Sequence, residues 1–358
     1  MRVVVAMSGG VDSSVAAALV AASGVETVGV SMQLYDQRDG AAGHTFGSCC
    51  TLDDLHDARR VAAAIGIPHY VMNFERQFDE QVVANFVHEY MNGRTPLPCV
   101  HCNSDLKFAT LLERARALGA DHVATGHYAR VERDETTGRY RLLRGLDRSK
   151  DQSYFLFSLD QAQLSRARFP VGALTKTEVR AHARRLALPV AEKPDSQEIC
   201  FVPDHDYASF IAKRAAVTPG GGVITSQEGR VLGRHDGIHR FTVGQRKGLR
   251  LSASEPLYVL ALDPAEQTVT VGPRAALERT TLTASHVQWI AGAPTDGTVR
   301  ANVQIRHRHA PGAARVYALP GDRAHVKFDE PQRAVSPGQA AVFYVGDEVI
   351  GGGWIDRP

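Results

Sequence analysis

The tightest constraint on the fold lies at the amino terminus, in RVVVAMSGGVDSSVAAALVAASG over residues 2–24. The β-branched run Val3–Val5 reads as a strand buried on both faces. The alanine-rich run from Asp12, stopping at Gly24, reads as a helix. A strand passing to a helix through glycines is the first unit of a parallel sheet. Its turn leaves unpaired helix N–H groups beyond the end of the strand. Gly9 and Gly10 let a ligand approach the backbone. Ser8, Ser13 and the free N–H groups suit phosphate oxygens. Asp12, a carboxylate in such a place, suits a phosphate site if it holds Mg²⁺. The pattern is neither GxxxxGK[ST] nor GxGxxG. A glycine turn with Asp12 as N-cap is the plain structural alternative.

Strand–helix alternation continues. VETVGVSMQL (25–34) and PHYVMNF (68–74) read as strands, TLDDLHDARRVAAAIGI (51–67) and DLKFATLLERARALG (105–119) as helices, and DHVATGHYAR (121–130) as a strand leading to a loop. Such alternation predicts an α/β domain with a parallel sheet and helices on both faces. Past KPDSQEICFVPDHDY (193–207) and a short helix near 206–215, short alternating runs broken by Gly and Pro predict small all-β domains of barrel type. The expected division is 1–204, 205–276 and 277–358. With 44% hydrophobic and 22% charged residues the chain has a globular composition. The first apolar run is too short for a signal peptide, and no run approaches the roughly 18 residues of a membrane span. A cytoplasmic protein is expected. A net charge of +2 leaves nucleic acid binding to local patches such as RKGLR (246–250) and IRHRH (305–309).

Cysteines sharpen the chemistry. Cys99 and Cys102 lie three apart in TPLPCVHCNSDLKF (95–108), Cys200 ends the polar stretch KPDSQEIC, and Cys49 and Cys50 are adjacent. In a reducing compartment such thiols serve metals or catalysis more often than disulfide frameworks. The residues alone leave Cys99 and Cys102 open between half a zinc site, a redox pair, a disulfide and a loop with a catalytic thiol. A non-enzymatic zinc module is the weakest option, since there is one CxxC and no second ligand pair. For Cys49 and Cys50 a local structural role is expected.

The loop at residues 6–14 resembles the pyrophosphate loop of the N-type ATP pyrophosphatases, which adenylate a carbonyl oxygen. CCTLDDLHDARRVAAAIGIPHYVMNF (49–74), TPLPCVHCNSDLKF, ATGHYAR (124–130), KDQSYFL (150–156), KPDSQEICFVP (193–203), FTVGQRKGL (241–249) and GGGWI (351–355) occur in order. Together they resemble the bacterial tRNA-specific 2-thiouridylases over almost the whole length. The resemblance implies a PP-loop domain of the adenine nucleotide α-hydrolase type, a small central domain and a carboxy-terminal β-barrel. It also implies thiolation of the wobble uridine of tRNA, with ATP and Mg²⁺, and a persulfide donor protein such as a cysteine desulfurase or sulfur relay.

Carried over residue by residue, the resemblance makes Cys102 the nucleophile and Cys200 the persulfide bearer, with a Cys102–Cys200 disulfide left after transfer. It places ATP on Ala6, Met7, Ser8, Gly9, Gly10, Val11, Asp12 and Ser13, with Met32 and Gly126 beside the adenine. It places tRNA on Leu97, Pro98, Cys99, on Lys150, Asp151, Gln152, and on His307 and Arg308. The chain departs from the family's pattern in three places. Leu97 stands where an Asn is common, Cys99 where some members carry Asp, and His307 where an aromatic is usual. Two alternatives remain: another adenylating synthetase acting on a small molecule, and a variant in which Cys99, Cys102 and Cys200 hold an iron–sulfur cluster with one open iron.

Overall fold

The structure is a computed structural model that describes residues 1–35, 52–195, 199–202, 206–215 and 220–357. Cys49 and Cys50 lie outside the described residues. Two compact units emerge. The first comprises Met1–Val82, Cys99–His205 and Asp347–Ile350, and the second Val83–Pro98, Asp206–Gly346 and Gly351–Pro358.

The first unit is built on a five-stranded parallel sheet in the order β3-β2-β1-β4-β7. The strands are β1 (Arg2–Ala6), β2 (Glu26–Gln33), β3 (His69–Asn73), β4 (His122–Ala124) and β7 (Ala167–Arg168). The valines of β1 are buried because the strand is central. Helix α1 (Val11–Ala22) packs Val11, Val15, Ala16 and Ala17 into one core with Ala58, Val61 and Ala62 of α2 (Leu52–Ile65). Val179 and Ala183 of α3 (Lys176–Arg185) join the same core. Small residues on α1 bring these helices close and draw their first turns around the carboxyl end of β1, where open α/β sheets bind ligands. A hairpin, β5 (Ala129–Arg133) and β6 (Tyr140–Arg144), pairs through Leu142 and Leu143 with Val349 and Glu348.

One local expectation fails. The segment around Cys99 and Cys102 is helical, not a loop. Pro98–His101 forms a helical turn, Cys102–Thr110 continues it as wider π-helical turns, and Leu111–Ala117 ends it as α-helix. Pro98 stands first, where its missing N–H costs nothing. The widened turns are tied by side chains. Ser104 Oγ donates to Val100 O at 3.0 Å and Thr110 Oγ1 to Asp105 O at 2.9 Å.

In the second unit, β8 (Gly222–Thr225), β9 (Val231–His235), β10 (Tyr258–Asp263) and β11 (Thr268–Gly272) form a sheet in the order β10-β11-β8-β9. Its core is Ile224, Ile238, Phe241, Val259, Val269 and Val271. The remaining strands are β12 (Glu278–Gln288), β13 (Thr298–Gln304), β14 (Gly312–Leu319), β15 (Arg323–Arg333), β16 (Ala340–Val345) and β17 (Glu348–Ile355). They run β12-β15-β14-β13-β16-β17, and pairing of β12 with β17 closes a barrel. Residues 83–98 group with this unit although they fall within the sequence range 1–204. Tyr90 stacks on Tyr207 with ring centroids 5.0 Å apart.

Candidate active site

The loop after β1 is folded by its own hydroxyls. Ser8 N donates to Ser13 Oγ at 3.1 Å, and Ser13 Oγ donates to Gly10 O at 3.1 Å. Gly9 has φ +73°, and a Cβ there would stand 2.2 Å from Asp54 O. Glycine is therefore required on both backbone and steric grounds. Gly10 is the N-cap of α1, and no side chain caps the helix. The N–H groups of its first turn are thus available to an anion, beside an exposed Ser8. Met32 is 7% exposed on β2. Gly126 packs against the first turn of α1. A Cβ there would lie 2.5 Å from Ser13 N and 2.7 Å from Asp12 C, so the space it leaves is filled by the loop itself.

Around Asp12 lies a charge network that the sequence motifs do not announce. Lys176 Nζ reaches Asp12 Oδ1 at 2.7 Å and Oδ2 at 2.9 Å, and Tyr128 Oη donates to Asp12 Oδ1 at 2.8 Å. Burial, then the Asp12 charge, pushes the Tyr128 phenol well above its ordinary range, so it stays a donor. Lys176 also meets Asp195 at 2.7 Å, as do Lys150 at 2.8 Å and Arg180 at 3.1 Å. Burial alone would raise the Asp195 carboxyl. Hydrogen bonds and charge from Lys150 and Lys176 outweigh it and hold the group at about 2. Lys193 bridges Asp54 and Asp57, each at 2.7 Å. Lys193, Asp195 and Tyr128 lie within the motif stretches KPDSQEICFVP and ATGHYAR, with no pattern of their own that marks them. Lys176 lies outside these motifs.

Of the residues expected at tRNA, Lys150 has a side chain 36% exposed and holds Asp195 at 2.8 Å. Asp151, 6% exposed, accepts from Arg144 at 2.7 Å and from Ser153 N at 3.1 Å. Gln152 Oε1 accepts from Tyr128 N at 3.0 Å. Asp151 and Gln152 therefore brace the hairpin and the Tyr128 backbone. His307 and Arg308 lie in the second unit, in the turn between β13 and β14, His307 half-buried and Arg308 exposed. Leu97 is half-buried and Pro98 buried.

Cys102 and Cys200 both belong to the first unit. Cys102, half-buried, opens the π-helical stretch, with exposed Cys99 one turn before it. Asn103 fixes this turn. Its Nδ2 donates to Phe155 O at 3.2 Å, and its Oδ1 accepts from Lys107 Nζ at 2.9 Å. Cys200, half-buried, lies in a turn closed by Val202 N on Ile199 O at 3.1 Å. Phe201 meets Phe78 edge-on at 5.4 Å. Among the described residues no three His, Cys, Asp or Glu side chains converge as a metal site. His127 is kept neutral, its pKa pushed far down by burial and then by the Lys107 charge. No helix among the described residues is long and apolar enough to cross a membrane.

Three family profiles match the chain in order. They are the tRNA methyl transferase HUP domain over residues 1–204, the tRNA methyl transferase PRC-barrel domain over 208–273 and the aminomethyltransferase β-barrel domain over 279–355. The tRNA-specific 2-thiouridylase MnmA of Solibacter usitatus (strain Ellin6076) is 56% identical over 366 residues, spanning 99% of each chain. That of Geotalea uraniireducens (strain Rf4) is 55% identical over 358 residues, spanning 99% of this chain and 95% of its own. At 56% and 55% identity over 99% of its length, the chain belongs to the tRNA-specific 2-thiouridylase MnmA family.

Proposed function

We propose that the chain is an ATP-dependent tRNA-uridine 2-sulfurtransferase that makes 2-thiouridine at the wobble position. The observation that carries this reading is that one unit holds the SGGVDSS loop, with a helix N-terminus uncapped by side chains, and two half-buried thiols, Cys102 and Cys200. A uracil C2 oxygen leaves poorly until it is converted to a phosphate ester. The α1 N–H groups, Ser8 and Ser13 bind and orient the polyphosphate of ATP. Asp12, 31% exposed, is the carboxylate that would hold Mg²⁺, which would supply charge neutralisation there. Lys176 faces the same carboxylate and serves that end as a fixed cation.

Cys200 carries the sulfur as a persulfide loaded by a donor protein. Its terminal sulfur attacks C2, and AMP departs with the C2 oxygen. The Cys102 thiolate then attacks the Cys200 sulfur. The S–S bond breaks with its electron pair on the base, which leaves as 2-thiouridine, and a Cys102–Cys200 disulfide forms. A thiol reductant returns both cysteines. Lys150, Leu97, Pro98, Cys99, His307 and Arg308 are assigned to the tRNA.

Anaerobically purified protein given ATP, Mg²⁺, a persulfide donor and unmodified tRNA will form 2-thiouridine, measured by mass spectrometry of digested tRNA. Cys102→Ser and Cys200→Ser will each abolish it. No product from folded wild type overturns the activity, and an active Cys200→Ser overturns the relay. Iron content of the same sample decides the cluster alternative.

A further inference from the structure

Lys193 and Asp195, a few residues before Cys200 in the sequence, are each fastened to the phosphate loop. Lys193 holds Asp54 and Asp57, each at 2.7 Å. Asp54 is also the residue whose backbone closes on Gly9, where a Cβ would lie 2.2 Å from Asp54 O. Two positions on, Asp195 holds Lys176 at 2.7 Å, and Lys176 holds Asp12 at 2.7 Å. One route therefore ends on Gly9 and the other on Asp12, the two sides of the same loop. Lys150 at 2.8 Å and Arg180 at 3.1 Å add two more cations to the Asp195 carboxylate. Beyond Cys200, Phe201 is seated on Phe78 at 5.4 Å. A surface ion pair contributes little to stability, but these side chains are mostly covered, with Asp54 10% and Lys176 13% exposed. Such pairs fix geometry more than they add stability.

The geometry points to Lys193 and Asp195 as positioning residues that register the Cys200 arm against the SGGVDSS loop, so that the persulfide meets the base activated at that loop. This rests on the assignment of Cys200 above. Neither residue bonds a reacting atom. Their loss misplaces the sulfur and leaves phosphate chemistry standing.

The test compares full-length wild type, Lys193→Met, Lys193→Arg and Asp195→Asn in two assays on the same tRNA. The first is ATP-dependent pyrophosphate release without a sulfur donor. The second is single-turnover 2-thiouridine formation by enzyme preloaded with persulfide. At saturating tRNA and ATP, Lys193→Met and Asp195→Asn are expected to slow thiolation by about 10- to 100-fold, while pyrophosphate release stays within about threefold. Lys193→Arg, whose planar fork spans two carboxylates, is expected to stay within about threefold in both assays. Wild-type thiolation rates in Lys193→Met and Asp195→Asn, or an equal fall in both half-reactions, would overturn the proposal. Folded, loaded wild type that forms no 2-thiouridine overturns the assignment of function as well, so the two failures are told apart.

Discussion

At the residue scale, Gly126 shows what a short motif conveys and what it hides. The stretch ATGHYAR marks a glycine beside the sheet's carboxyl edge, and the resemblance gives that glycine to the adenine. In the structure the space where its side chain would be is occupied by Ser13 N and Asp12 C, backbone atoms that cannot rotate aside. Gly126→Ala should therefore push the loop off its seat. A loss of about 1–3 kcal/mol in urea unfolding is expected, with the KM for ATP rising about tenfold or more. Gly24→Ala is the control. Its φ is +76° with nothing within 4 Å, so it should cost about 1 kcal/mol of backbone strain and leave the KM alone. An unchanged KM in Gly126→Ala would show that the loop does not depend on this contact. The loop was readable because phosphate binding uses backbone and hydroxyls packed into seven residues. Lys176 was not. It meets Asp12 from 164 positions away, and a lone lysine in a helical stretch carries no signal.

At the element scale, α3 explains how that lysine is held. Thr175 and Glu178 form a capping box, which fixes where the helix begins. Lys176 is thereby placed in the first turn, where the helix dipole disfavours a cation. Asp12 and Asp195 offset this. The Asp195 carboxyl lies at about 2 in the folded chain, against an ordinary 3.8. A depressed folded value means its contribution is full above the ordinary value and is lost as pH falls through about 2. The stability gap between wild type and Asp195→Asn should be widest near neutral pH and close between about pH 4 and pH 2, read by urea unfolding across that range. A gap that does not change with pH would mean that these cations do not depress the pKa of the carboxyl. The Cys99–Cys102 segment makes the opposite point about legibility. Its two prolines suggest a turn, yet Pro98 begins a helix, because proline is compatible with a helix start and incompatible with its interior.

For the whole molecule, the change from strand–helix alternation to short alternating strands was visible in composition and turn residues, and the parallel sheet, mostly β centre and barrel follow from it. The return of Asp347–Ile350 to the first unit was not visible, because strand pairing between distant segments leaves no local pattern. This return has a mechanical consequence. Val349 is fully buried opposite Leu142, Arg141 meets Glu348 at 2.8 Å, and Arg144 N donates to Asp347 O at 2.9 Å. Arg144 also holds Asp151, and the next turn carries Gln152, which receives Tyr128 N, the residue whose hydroxyl holds Asp12. Residues Asp347, Glu348 and Val349 thus brace the hairpin that supports the phosphate loop. Val349→Asp places an unpaired carboxylate in this pairing and should cost on the order of 3–5 kcal/mol. Val349→Ala, which only removes methyl groups, should cost about 1–3 kcal/mol. Hydrogen exchange will show where the loss is felt. Amides of Ala129–Arg133 and Tyr140–Arg144 should lose protection in Val349→Asp, with a parallel rise in the KM for ATP. If protection falls only in β12–β16 and the hairpin amides keep theirs, the last strand serves the barrel alone and the phosphate loop stands without it.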